Sequence, residues 1–436
     1  MFDSGTTCYM IVCTAMVVLM SPGLALFYGG LSRRKNVVNT MLMSIIAMAI
    51  AGVLWVVIGD SIAYGGESAF DDAGNLTNVW ALFFGGFDRM FTQWAVEEVS
   101  GSVTGAAAVS STYPGVVSVA FQASFAMVTA AIVTGSLAER CKFGAVCFII
   151  VLWPLLVYAP MAHMTWGGGI IGNPAAIGAI DFAGGTVVHI SSGLSGLILC
   201  LILGKRKEFN RLTYRPHNVP FVMLGAGLLF FGWFGFNGGS ALATDGYAGL
   251  AVINTLVAGC AATISWAIVE RIRNGKVTLV GASTGLVAGL VVITPGCGFV
   301  DVWAAIIMGF LVSPVCYFSI AKLKGKLGYD DALDAFGCHG IGGILGALLV
   351  GIFARPDLSW TGVGGLIYTG SFQLLGQQFL GVLVTVVYVT IVVTVIGFLT
   401  KKIFRNSLRV DSQIESMGLD APVHGESGYP AFGGLD

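Results

Sequence analysis

Charge is what this 436-residue chain has least of: Asp, Glu, Lys and Arg together make up 10% of it. A soluble domain carries about a quarter. With 56% hydrophobic residues and a mean hydropathy of +0.85, the chain cannot hide its apolar side chains from water, so lipid is the expected solvent for much of it. The formal net charge of -1 leaves no basic surplus and argues against a nucleic-acid partner. No C-x-x-C pair occurs; the nine cysteines are scattered, mostly in apolar runs, and read as small buried hydrophobes rather than a disulfide or metal framework. Met1 to Thr7 holds no Lys or Arg, so the basic start of a signal peptide is missing. The apolar run from about Cys8 to Tyr28 then reads as an uncleaved first span.

What is present is hydrophobic length. A helix needs about 20 apolar residues to cross a bilayer. Eleven runs qualify, at roughly 8–30, 37–59, 115–137, 143–163, 182–204, 219–241, 247–269, 277–295, 302–321, 336–353 and 376–400. Several are rich in Gly and Ala, as tightly packed membrane helices are. Charge tests the count. Arg33, Arg34 and Lys35; Arg140 and Lys142; Lys205, Arg206, Lys207, Arg211 and Arg215; Arg271, Arg273 and Lys276; Lys322, Lys324 and Lys326; and Lys401, Lys402, Arg405 and Arg409 all fall on one side. Only Arg89 and Arg355 of the 22 basic residues fall on the other. Positive residues stay in the cytoplasm. The expected fold class is therefore an all-α integral membrane protein with eleven transmembrane helices, N-terminus outside and C-terminus inside. Residues 1–404 form the transmembrane domain and 405–436 a cytoplasmic tail. The largest outer loop, Asp60 to Pro114, is acidic (Glu67, Asp71, Asp72, Asp88, Glu97, Glu98) and reads first as a solvated loop that also draws cations.

Two stretches repeat. His189 is followed by Gly193 and Gly196 in the fifth run, His339 by Gly343 and Gly346 in the tenth; Asp181 precedes the first and Asp334 the second. Phe27-Tyr28-Gly29-Gly30 in the first run echoes Phe236-Asn237-Gly238-Gly239 in the sixth. Their order suggests a five-plus-five repeat with one further C-terminal helix. Five being odd, the second half enters the membrane from the opposite face, an inverted repeat of the transporter kind. The glycines would let the two His-bearing helices approach closely near the midplane.

An ionisable ring in a bilayer is costly and usually faces a pathway, which disfavours reading His189 and His339 as a merely satisfied core pair. Two axial haem ligands are a second reading; it explains facing histidines but not Gly, Asp and aromatics on the approach. Asp181 stands where a helix N-cap belongs, a role compatible with stabilising a cation. Trp166 alone reads as an interfacial belt residue, and Phe121, Phe125 and Phe236 as packing. His163 at a helix end, His217 in a loop and His424 in the tail read as structural.

The motifs PGLALFYGGLSRRKN (22–36), AFQASFA (120–126), AHMTWGGG (162–169), DFAGGTVVHI (181–190), GWFGFNGGS (232–240), ITPGCG (293–298), DAFGCHGIGG (334–343) and GLDAPVHGESGY (418–429) resemble those of the ammonium transporters, the Amt/Mep/Rh family, over nearly the whole chain. The resemblance implies a multi-pass cell-membrane transporter rather than an enzyme, without cofactor or metal. It implies a homotrimer with one pore per subunit and a PII-type regulator as a possible partner at the cytoplasmic face. It assigns an outer ammonium-binding site to Phe121, Phe125, Trp166 and Ser240, a stacked gate to Phe125 and Phe236, the pore pair to His189 and His339, and the essential acidic position to Asp181. The long 60–114 loop and Gly428, where Ala is common, depart from the pattern.

Bare ammonium in a low dielectric costs tens of kcal/mol by Born estimates, so a vestibule must replace its water. Each aromatic face contributes about 0.5–2 kcal/mol. A Ser240 hydroxyl that accepts an N–H bond favours ammonium over potassium. Neutral imidazole supplies one donor and one acceptor, polarity without fixed charge. The expected scheme is recruitment, deprotonation near the gate, and passage of ammonia along the histidines.

Overall fold

The computed structural model describes residues 2–71, 73–99, 112–209 and 215–429. Asp72 and Arg211 lie outside them. Among the described residues the chain is helical, with only isolated bridges such as Val300 to Ala354. Ten helices are long and apolar enough to cross a membrane: α1 (Ser4–Leu31), α2 (Arg34–Tyr64), α3 (Gly115–Leu137), α4 (Phe143–Trp166), α5 (Gly185–Leu203), α6 (Val219–Gly239), α7 (Gly246–Asn274), then, after α8, α9 (Val302–Leu327), α10 (Phe336–Phe353) and α11 (Gln373–Ile403). The eighth expected run forms the apolar helix α8 (Leu279–Ile293), shorter than the others at 15 residues. Where the sequence suggested a loop from Asp60, α2 continues to Tyr64, and a short helix, Gln93–Val99, follows.

Short polar side chains set the helix starts. Asp3 accepts from Thr6 N at 2.6 Å, Asn218 Oδ1 from Phe221 N at 3.0 Å, Asp245 Oδ1 from Ala248 N at 3.1 Å, and Thr278 Oγ1 from Gly281 N at 2.9 Å. Each satisfies an N–H that the first turn leaves orphaned. At its far end α7 stops at Gly275, in the left-handed region at φ 72. Pro154 inside α4 cannot donate to the ladder, and the helix widens there into a π-type turn, Pro154–Tyr158.

Helices α3, α4, α5 and α10 are the most enclosed, while α11 turns Phe379, Ile391, Val395 and Phe398 outward. Such a surface requires apolar surroundings. The most extensive pairing is α1 with α6, and α5 packs against α10; these are the counterpart helices of the two halves.

At the basic end a buried ion network closes the bundle. Arg206 donates to both Asp330 oxygens, at 2.7 Å from Nη2 and 2.9 Å from Nε, and to Glu139 Oε2 at 2.8 Å. Arg33 Nε lies 3.0 Å from the same Glu139 oxygen, and Arg140 Nη2 donates to the Asp330 carbonyl at 2.6 Å. Burial alone would raise the Glu139 carboxyl, but the Arg206 and Arg33 guanidinium groups hold it below the usual value. The tail docks on this end: Asp420 accepts from Val38 N and Asn39 N at the start of α2, and His424 Nε2 meets Asn39 Nδ2 at 2.8 Å. His217 contacts the Ser32 carbonyl at 2.8 Å, and Tyr429 accepts from Asn218 Nδ2 at 2.8 Å. His163 faces two backbone carbonyls, of Ala63 at 2.9 Å and Ala81 at 2.8 Å. All three remaining histidines are therefore held in structural contacts.

Candidate functional site

Helices α5 and α10 begin alike. Each opens with a wide π-type turn, Gly185–Ile190 and Phe336–Gly340, that carries its histidine. Such turns free backbone groups and re-aim side chains, and recur at functional sites. The crossing behind the pair is made by glycine. A Cβ on Gly193 would stand 2.2 Å from Gly340 N, and one on Gly343 would stand 3.0 Å from the Gly185 carbonyl and His189 Cβ. Both are the fourth residue after a histidine, so one spacing serves both halves. The result is a buried pair, His189 Nδ1 to His339 Nδ1 at 3.2 Å, with ring centroids 5.3 Å apart.

Each π-turn is held by an aspartate eight residues before its histidine. Asp181 Oδ1 accepts from Gly184 N and Gly185 N at 2.8 Å, and Oδ2 from Thr186 N at 2.7 Å and from the Thr186 hydroxyl. In the second half the sequence suggested Asp334 as the counterpart. The structure gives that place to Asp331, whose Oδ2 accepts from Phe336 N at 2.8 Å and whose Oδ1 accepts from Ser136 Oγ at 2.7 Å. Asp334, with φ 60, pairs instead with Lys324 Nζ at 2.5 Å. The spacing of eight shared by Asp181–His189 and Asp331–His339 was the signal that would have found it.

Three cavities line up through the pair. At the end away from the basic loops lies a vestibule of about 480 Å³, lined by Phe125, Trp166 and Ser240 among others. Next comes a constricted lumen of about 10 Å³ lined by Val188, His189, Leu229, Trp233, Phe236 and His339. His339 also lines an inner cavity of about 200 Å³ with Phe27, Tyr28, Leu31, Asp334 and Cys338. Between vestibule and lumen stand Phe125 and Phe236, stacked at 3.9 Å between centroids and 19° between planes. A 10 Å³ lumen holds about one water-sized molecule.

The outer residues are oriented by hydrogen bonds. Trp166 donates its Nε1–H to the Asp181 carbonyl at 2.8 Å, which fixes its ring on the vestibule wall. The Ser240 hydroxyl donates to the Phe236 carbonyl at 2.8 Å, leaving its oxygen lone pairs as acceptors. Phe121, only 1% exposed, packs on Phe125 at 4.9 Å and stands behind the wall rather than on it. Asp181 also lies behind, with both carboxylate oxygens engaged by α5. Trp233, unremarked in the sequence beyond its GWFGFN motif, stacks on His189 at 5.4 Å and 21° and donates to Thr294 Oγ1 at 2.9 Å. It holds the imidazole flat against the lumen. All nine cysteines are free thiols.

Comparison with known proteins bears on the family and the fold. The sequence profile described as the Ammonium Transporter Family matches residues 8–429. A Mycobacterium tuberculosis protein named ammonium transporter is 43% identical over 442 residues, covering 98% of this chain and 90% of that one. An Aquifex aeolicus protein of the same name is 45% identical over 430 residues, covering 98% and 94%. The crystal structure of Saccharomyces cerevisiae Mep2 superposes with a TM-score of 0.84 at 30% identity, covering 100% of this chain and 93% of that one.

Proposed function

The chain belongs to the ammonium transporter family, a multi-pass cell-membrane transporter rather than an enzyme, and we propose how its geometry moves the substrate. Ammonium is recruited in the vestibule, where the faces of Trp166 and Phe125 stabilise the cation and the Ser240 oxygen accepts one of its N–H bonds. Phe121 supports Phe125 from behind. Asp181 contributes negative field from behind Trp166 and keeps that ring in place through its carbonyl. Potassium has no N–H to give Ser240, so it gains less there.

The Phe125–Phe236 stack admits no hydrated ion, and the lumen beyond offers no carboxylate. The proton therefore leaves ammonium at the gate. A proton shared between two Nδ1 atoms leaves one ring donating and the other accepting. Two uncharged rings so joined present one Nε2 acceptor and one Nε2–H donor. The Nε2 of His189 has no partner among the described residues, which leaves it to meet ammonia. The proton follows separately along the pair, and ammonia regains one in the inner cavity.

The observation that carries this reading is the continuity of vestibule, stacked gate, histidine-lined lumen and inner cavity, each sharing wall residues or stacked rings with the next. The vestibule faces outside and the basic end the cytoplasm, following the positive-inside bias; a homotrimer and a PII-type regulator docked at the basic end complete the proposal. The test is electrical recording on proteoliposomes. An ammonium pulse should give a saturable current and a potassium pulse none. A comparable potassium current would overturn the scheme, and a haem absorption band in the purified protein would replace it with the redox reading.

A further inference from the structure

Helix α11 stands outside the five-plus-five repeat, yet one of its side chains holds the segment that leads into α5. Residues 167–184, between α4 and α5, form neither helix nor strand, and Ile180 within them is buried. Backbone without a helix or sheet partner must find its hydrogen bonds elsewhere, above all at membrane depth. For Ile180 they come from Gln378 of α11. Gln378 Oε1 accepts from Ile180 N at 2.8 Å, and Nε2 donates to the Ile180 carbonyl at 2.9 Å and to the Ala347 carbonyl of α10 at 3.0 Å. Both N–H groups of the amide are thereby used, and only one orientation of the amide satisfies all three partners. Gln378 is 2% exposed. A primary amide buried in so apolar a helix is costly unless it is matched in this way.

What Gln378 holds adjoins the outer site. The next residue, Asp181, caps α5 with its carboxylate and takes the Trp166 Nε1–H on its carbonyl at 2.8 Å. Phe182 N then donates to the Pro295 carbonyl at 3.0 Å. About one turn further along α11, Val382 packs in a small buried cluster with Ala347 and with Ile190, the residue after His189. Helix α11 therefore backs the opening turn of α5 at both ends, through Gln378 before Asp181 and through Val382 behind His189. The second Gln378 N–H ties the same place to α10, whose Ala347 lies one turn beyond Gly343.

We infer that Gln378 is a positioning residue for ammonium recruitment. It fixes the Ile180–Asp181 segment against α10 and, through the Asp181 carbonyl, sets the Trp166 ring on the vestibule wall. It lines none of the three cavities and so acts only through the groups it holds. The inference rests on the recruitment role of Trp166. It gives the eleventh helix, which has no counterpart in the repeat, a part in the pathway.

The test reads ammonium current against concentration in proteoliposomes, with melting temperature measured on the same preparations. Gln378→Leu takes their partner from Ile180 N, the Ile180 carbonyl and the Ala347 carbonyl. It should raise the half-saturating concentration about two- to tenfold, the range over which one cation–π contact acts, and change the saturating current less. Thr385→Val removes a buried α11 hydroxyl that donates within its own helix to the Gly381 carbonyl at 2.8 Å, and should leave the concentration dependence as in wild type. If Gln378→Leu does not fold, Gln378→Asn, one methylene too short to span all three partners, carries the same expectation. The route through Trp166 is read from a double variant: added to Trp166→Leu, Gln378→Leu should shift the half-saturating concentration no further, and a multiplied shift refutes that route. If Trp166→Leu raises the half-saturating concentration while the Gln378 variants lower only the melting temperature, the positioning role is refuted and the recruitment scheme stands. If Trp166→Leu leaves it unchanged, the recruitment scheme fails and the inference falls with it.

Discussion

Adding one methyl group at Gly193 tests the crossing on which the histidine pair depends. A Cβ there would lie 2.2 Å from Gly340 N and 2.6 Å from Gly340 Cα, both backbone atoms that cannot rotate away. Ordinary non-bonded contacts lie at about 3.5–4.0 Å, so α5 and α10 must part by more than about 1 Å. The imidazoles meet at 3.2 Å, already at the long end of the N–H hydrogen-bond range of about 2.7–3.2 Å. The added separation breaks the shared bond. Overpacking of this kind costs about 1–3 kcal/mol in stability. A lost hydrogen bond of about 0.5–1.5 kcal/mol on the transport barrier slows flux roughly two- to tenfold. The assay is ammonium-evoked current in proteoliposomes at matched protein density, with melting temperature measured on the same preparations. Gly343→Ala should be milder, because its nearest obstacles stand at 3.0 Å, and Gly227→Ala, with nothing within 4 Å, should resemble wild type. Wild-type current and melting temperature in Gly193→Ala, or a milder effect there than in Gly343→Ala, would refute the reasoning.

Four further outcomes are expected. Phe236→Ala removes one leaf of the 3.9 Å stack at a cost of about 3–5 kcal/mol or less, since the pore wall can collapse; ammonium flux and selectivity should change in protein that still purifies folded. A His189→Asp/His339→Glu double variant places ionisable carboxyls in the lumen and should pass potassium, read as current after a potassium pulse against none in wild type. Asp331→Ala unties the first turn of α10 and should lower stability by about 1–2 kcal/mol, more than Asp334→Ala on the partly exposed Lys324 pair, as thermal melts would show. Glu139 has its folded pKa held down by Arg206 and Arg33, so its contribution is full above the ordinary carboxylate value and fades as pH falls through the lowered one. Glu139→Gln should therefore melt earlier than wild type at neutral pH, and the gap should narrow on acidification below about pH 4.

Much of this protein is one-dimensional information. A bilayer selects long apolar runs and sorts charge to one side, so the spans, the repeat and the two histidines are legible residue by residue. The Gly at the fourth position after each histidine is legible for the same reason, since a regular helix turns spacing into a face. The family motifs marked the Phe125–Phe236 pair, which the structure stacks, and the vestibule-lining Trp166 in the same way. What the sequence could not decide was which atoms face the pathway, because that depends on how helices distant in the chain rotate against one another. Only packing shows that Phe121 stands behind Phe125 and that Trp233 backs His189, whereas the Asp181 cap at the start of α5 was legible from its place before the apolar run. Likewise the choice between Asp331 and Asp334 turned on which carboxylate reaches the first turn of α10 and which reaches Lys324. Asp60 is the clearest instance. In the sequence it opens an acidic, solvated stretch, but the fold buries it in the last turn of α2, on the same vestibule wall as Trp94, Gln122 and Thr165.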